Sequence, residues 1–178
     1  MSPIVSNATP LIYLAKIGRL GLLRRLYTEV FIPEEVKAEV VDRGKKLEEV
    51  DAYTVEKALK DGWLKTLKTE PLEITIRLHP GETAALSLAT MLGIREILLD
   101  ERMARTAARL LGLSPRGTIY VLLRGLEERE LSLDDFLESL AQLTQHGFRL
   151  KEEAYIEVMK KARQIAEKSH PSTSSVRI

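Results

Sequence analysis

Leu98-Leu99-Asp100-Glu101-Arg102 is the stretch that decides how this chain folds. The apolar run Ile97-Leu98-Leu99 ends abruptly in two acids, and a helical spacing of apolar residues follows at once. Residues 94–99 therefore read as a buried strand feeding a helix. In an open parallel sheet, ligands gather just outside the carboxyl ends of the strands. Asp100 and Glu101 stand where such a fold places its chemistry. Three other polar residues hold comparable places: Asn7 closes a first strand, Glu39 lies on an early helix, and Glu82 opens a helix after Pro80-Gly81. The expectation is that the fold brings these positions to one rim.

The pattern extends in both directions. Before the stretch, Ala84, Ala85, Leu88, Ala89 and Leu92 mark the buried face of a helix that Gly93 ends. After it, 102–111 is helical and stops at Gly112, and Pro115 and Gly117 bracket a turn or a very short fifth strand. Helices are predicted over 119–127, 133–143 and 152–166. At the start of the chain, Ile4-Val5-Ser6 is a short strand, Thr9 suits an N-cap and Pro10 suits the first helical position. A second short helix carries Leu20, Leu22, Leu23 and Leu26, and Val30-Phe31-Ile32 forms strand two. Residues 34–41 are helical, with Val36 and Val40 as the inner stripe and Glu39 bordering it. Residues 45–60 read as one charged amphipathic helix using Leu47, Val50, Val55, Ala58 and Leu59; strand three follows over 63–67. Ile74-Thr75-Ile76 has strand propensity, and a loop is equally compatible with 68–79. Strands alternating with helices imply an α/β fold: a three-layer α/β/α sandwich with a parallel sheet, Rossmann-like, plus extra C-terminal helices. One domain is expected over 1–168, with 117–168 as its helical C-terminal part and 169–178 as a mobile tail.

Composition narrows the function. With 178 residues, 44% hydrophobic and 30% charged, the chain suits a soluble globule with a sizeable core. A net charge of +1 supplies no global pull onto nucleic acid or membrane, so such contact needs a local patch. The absence of cysteine excludes disulfides, thiolate metal sites and thiol catalysis. No apolar run approaches the ~20 residues that span a bilayer, and the N-terminus lacks a signal-peptide pattern; a cytoplasmic location is expected. There is no glycine-rich phosphate loop. His79, His146 and His170 lack ligand spacing, and neither Ser6 nor Thr9 has a matching histidine for a hydrolase triad.

What remains is an oxygen-rich constellation: Asn7, Glu39, Glu82, Asp100 and Glu101. Hard divalent cations take oxygen ligands, and clustered carboxylates need a cation or a proton to coexist. Each residue also has a local explanation. Glu82 and Glu101 complement helix dipoles, Asp100 caps the helix after its strand, Glu39 is solvated, and Asn7 bonds to turn backbone. Arg102, Arg105 and Arg109 form one stripe to which Arg116 adds, either an RNA-phosphate surface or a solvated helix face. Lys16, Arg19, Arg24 and Arg25 form a second cluster with the same two readings.

Taken in order, four segments resemble the PIN-domain family, and more narrowly its prokaryotic VapC-related branch. They are Val5-Ser6-Asn7-Ala8-Thr9-Pro10-Leu11-Ile12, Ile32-Pro33-Glu34-Glu35-Val36-Lys37-Ala38-Glu39-Val40, Gly81-Glu82-Thr83-Ala84-Ala85 and Leu98-Leu99-Asp100-Glu101. The resemblance implies an Mg²⁺- or Mn²⁺-dependent endoribonuclease, such as the toxin of a type II toxin–antitoxin pair. RNA, a small antitoxin and a second copy of the chain would be its partners. By position, Glu39, Glu82 and Asp100 match catalytic acids. Asn7 stands where the first metal-binding Asp is expected, Glu101 is an auxiliary acid, and Thr9 matches a hydroxyl residue on the RNA side. The amide of Asn7 carries no negative charge, so the site should hold metal more weakly or hold one ion. The alternative is a catalytically impaired RNA-binding or regulatory module.

Overall fold

The structure is a computed structural model that describes residues 1–169. The tail expected to be mobile lies outside the described residues from 170 onward; Ser169 still belongs to the last helix. Elements follow one another as β1 (Ile4–Ser6), α1 (Ala8–Lys16), α2 (Gly21–Leu26), β2 (Val30–Pro33) and α3 (Glu34–Lys37). A π-helical segment (Ala38–Arg43) leads to α4 (Gly44–Lys46), α5 (Val50–Lys60) and β3 (Leu64–Leu67). Then come α6 (Pro80–Leu92), β4 (Glu96–Leu98), α7 (Arg102–Leu110) and β5 (Ser114–Arg116). Three helices close the chain: α8 (Thr118–Glu127), α9 (Leu133–Gln145) and α10 (Glu152–Ser169).

The five strands form one parallel sheet in the order β3-β2-β1-β4-β5. Successive strand side chains point to opposite faces. In the fully buried central strand β1, Ile4 therefore joins one core and Val5 the other. The Ile4 core takes Leu11 and Leu14 from α1, Leu23 from α2, Val55 from α5 and Leu122 from α8. The Val5 core takes Ala85 and Leu88 from α6 and Ala104 and Ala108 from α7. The α/β sandwich is as expected. The last helices add to the Ile4 core, since Phe136, Leu140, Leu143 and Ala162 are part of it.

One segment departs from the expected pattern, and a second, left open between strand and loop, is settled as a loop. The helix predicted over 45–60 is broken at 47–49, where Glu48 takes a left-handed backbone (φ 58°) and Glu49 is extended. The turn packs the start of α5 against α4 so closely that a Cβ on Gly44 would lie 2.8 Å from the Ala52 Cβ. Leu47 and Val50 are consequently exposed, at 63% and 79%, instead of serving the core. Residues 68–78 form an extended strap with no strand pairing. Leu72, Ile74, Ile76 and Leu78 are half-buried against the Val5 core, while the residues between them face outward. No helix of the described residues is long and apolar enough to cross a membrane.

Tyr27 provides a test of this packing. The side chain is 2% exposed, its hydroxyl has no hydrogen-bond partner, and the Arg124 guanidinium lies over the ring, 4.6 Å from its centroid. Burial pushes the phenol up from 10.0 to about 12, only partly offset by Arg124. The folded state thus holds the proton longer than the unfolded state, so this contribution is full below pH 10 and is lost as pH rises toward about 12. Tyr27→Phe removes an unsatisfied buried group, and urea unfolding near neutral pH should show a gain of about 1 kcal/mol. The variant should also lose less stability than the wild type across that alkaline window.

Candidate metal and nucleic-acid cleft

The strands deliver their carboxyl ends to one edge of the sheet. Asn7 follows β1 directly, and its backbone N–H donates to the Leu98 carbonyl of β4 at 3.0 Å. It occupies the N-cap position of α1, yet its side chain makes no capping hydrogen bond. The residue is 4% exposed, and Oδ1 is buried with no partner. Buried acceptors are nearly always satisfied, so an orphan of this kind calls for an explanation.

The second wall comes from α6. Gly81 sits so close that a Cβ there would lie 2.9 Å from Glu39 Oε2 and 3.5 Å from Asn7 Oδ1. Only glycine lets the helix start approach those two oxygens. Glu82 is buried beside it, and its Oε2 accepts a hydrogen bond from the His79 N–H at 2.9 Å, which orders the first turn of α6. Glu39 projects from the π-helical segment, a widened turn of the kind that recurs at functional sites. Much of the residue faces solvent, but partial burial of its carboxyl, aided by the Glu82 charge, raises its pKa; Arg43 and His79 oppose the shift. A cavity of about 770 Å³ is lined by Asn7, Thr9, Glu39, Glu82, Glu101 and Arg102, and also by Arg77, His79 and Met103.

Asp100 is placed differently. Its Oδ1 accepts from the Thr118 backbone N–H at 2.8 Å, and its Oδ2 accepts from the Thr118 hydroxyl at 2.7 Å. The carboxylate therefore caps α8, which starts after the next strand, rather than α7. Gly117 makes room for it, since a Cβ there would lie 2.9 Å from Oδ1. Burial raises the Asp100 pKa; the two Thr118 donors and the nearby Arg105 act against it, and Glu101 adds to it. Asp100 is not among the residues that line the cavity, whereas Glu101 is.

Of the arginine stripe, Arg102 reaches the cavity. Arg105 turns inward and donates to the Leu99 carbonyl at 3.0 Å, and Arg109 is exposed. Arg116 bonds Glu96 at 2.8 Å and stacks on Tyr120. The second basic cluster is largely consumed by internal pairs: Arg19 with Asp135, Arg25 with Glu130 and Lys16 with Glu49. Sequence reasoning missed Arg77 and His79. The Leu78-His79-Pro80 approach to a helix start was their only signal.

The donor chemistry suits one hard cation. Asn7 Oδ1, Glu39 and Glu82 offer an amide oxygen and two carboxylates, all oxygen. Among the described residues no group of three or more His, Cys, Asp or Glu is placed to hold a metal ion, here or elsewhere. A family model described as a PIN domain matches residues 3–164. The chain belongs to the PIN-domain family. No characterised protein and no solved structure shows significant similarity to it. Membership in the PIN family associates the chain with a nuclease family, nucleic acid and divalent metal ions.

The Asp100–Thr118 contact is testable apart from activity. A carboxyl whose pKa is raised in the folded state contributes fully below its unfolded value of 3.8, and that contribution erodes as pH rises through the folded value. Asp100→Asn keeps both hydrogen bonds by reversing one, without the buried charge. It should match or exceed wild-type stability at neutral pH, with the difference vanishing in acid. Thr118→Val leaves a buried carboxylate oxygen unpaired and should cost about 1–3 kcal/mol by thermal or urea unfolding.

Proposed function

We propose that this PIN cleft hydrolyses RNA phosphodiester bonds, with one Mg²⁺ or Mn²⁺ ion held by Asn7 Oδ1, Glu39 and Glu82. The observation that carries the reading is the buried, unpartnered Oδ1 of Asn7, which shares its space with the Glu39 carboxylate beside Gly81. When bound, such an ion lowers the pKa of a coordinated water and neutralises charge on the reacting phosphate. The chain's own groups supply the rest. Glu101 lines the cavity as a further acid, and Thr9 offers a hydroxyl to the substrate. Arg102 supplies positive charge for an RNA phosphate, with Arg109 farther along the same helix. Asp100 acts as a positioning residue: by holding the start of α8 it fixes the strand end from which Glu101 projects. In its cellular setting the chain would serve as the ribonuclease of a toxin–antitoxin pair, as a homodimer whose acidic cleft a small antitoxin covers.

A second reading has its own support. Asn7 contributes no charge and Asp100 is engaged by Thr118, which favours a PIN-fold RNA-binding module with little or no turnover. Single-turnover cleavage of a labelled single-stranded RNA in Mn²⁺ separates the two. The nuclease reading expects cleavage by the wild type and a loss on the order of 10²-fold in Glu82→Gln. Asn7→Asp should raise the rate by roughly tenfold, or about 1.4 kcal/mol of barrier. A wild type no faster than Glu82→Gln, with activity appearing only in Asn7→Asp, would establish the binding-module reading.

A further inference from the structure

The strap over 68–78 brings a residue to the cleft that neither the strands nor the helices supply. Along an extended chain, side chains alternate between two sides. Ile76 and Leu78 are held against the Val5 core, so Arg77 between them is thrown to the outer side, where it lines the cavity together with Arg102 and Glu82. Among the described residues, neither Arg77 nor Arg102 forms an ion pair, although the carboxylates of Glu39, Glu82 and Glu101 line the same cavity. Arg19, Arg25 and Arg116 are each bonded to a carboxylate, whereas Arg24 and Arg109, like Arg77 and Arg102, have no such bond among the described residues. An acidic cleft repels a polyanion, so a phosphodiester entering it needs a cationic counterpart at the rim. Two guanidinium groups arriving from distant segments, the strap and the start of α7, meet that need with forked donors suited to phosphate oxygens.

We propose that Arg77 is a substrate-binding residue that holds a backbone phosphate of single-stranded RNA in the cavity it lines together with Glu82. This rests on the RNA reading of the cleft. The experiment is fluorescence anisotropy with the full chain and a labelled, unstructured single-stranded RNA, titrated over a range of KCl concentrations. Mn²⁺ is omitted in one series, and Glu82→Gln with Mn²⁺ is used in the other to prevent cleavage. Arg77→Ala should weaken binding about tenfold at low salt and reduce the salt slope by about 0.7, the loss of one phosphate contact. Arg77→Lys should keep the slope, because it keeps the charge, and lose only part of the affinity. Arg24→Ala, an exposed arginine on α2 away from the cavity, should bind as the wild type does. Arg77 is exposed, so its variants should melt with the wild type. Wild-type affinity and slope in Arg77→Ala, with RNA still bound, would overturn the assignment and leave the RNA reading standing. No RNA binding by the wild type without Mn²⁺, and none by Glu82→Gln with it, would overturn both.

Discussion

The cleft depends on a double obligation placed on Asn7. It must end the central strand and begin α1, and its N–H is committed to the Leu98 carbonyl. The side chain does not turn back to cap α1 and instead lines the cavity beside α6. There Oδ1 finds no donor. An unsatisfied buried acceptor costs about 1–3 kcal/mol, a large share of a typical net stability of 5–15 kcal/mol. The two hydrophobic cores meeting on β1 offset that cost, since Ile4 and Val5 are both fully buried and fix the strand from opposite faces. Gly81 then completes the arrangement by letting α6 approach where any side chain would collide with Glu39.

Much of this was readable from residues alone, and the failures have identifiable causes. Short apolar runs punctuated by Pro and Gly located the strands, because a parallel sheet covered on both faces needs no polar alternation. The break at 47–49 was invisible because Lys-Leu-Glu-Glu favours helix locally. The close packing of Gly44 on Ala52, a tertiary contact, is what overrides that preference. The strap shows the opposite limit. Its period of two was present in Leu72, Ile74, Ile76 and Leu78, but the pattern reports burial on one side, not a hydrogen-bonded neighbour. For the cleft, the order of Asn7, Glu39 and Glu82 led to one cavity. Asp100 escaped because an acid between a strand and a helix looks the same whether it faces a ligand or caps a helix 18 residues later. The arginine stripe likewise gave position without destination: helical spacing aligns Arg102, Arg105 and Arg109, while the free Leu99 carbonyl draws Arg105 inward.

The electrostatics of the cavity account for what an amide at position 7 does. Glu82 already raises the Glu39 carboxyl by repulsion, on top of partial burial. A carboxylate in place of Asn7 would add a third charge beside the point where Glu39 Oε2 and the residue-7 oxygen converge on Gly81. Without a cation, that arrangement would force a proton onto one of the acids or push α6 outward. The amide keeps an oxygen in the same place and removes that repulsion. The same substitution lowers the attraction for a cation. Stability of the empty cleft and strength of metal binding are thus set against each other by one atom of side-chain chemistry. In the proposed donor set, the carboxylates of Glu39 and Glu82 would supply all the negative charge.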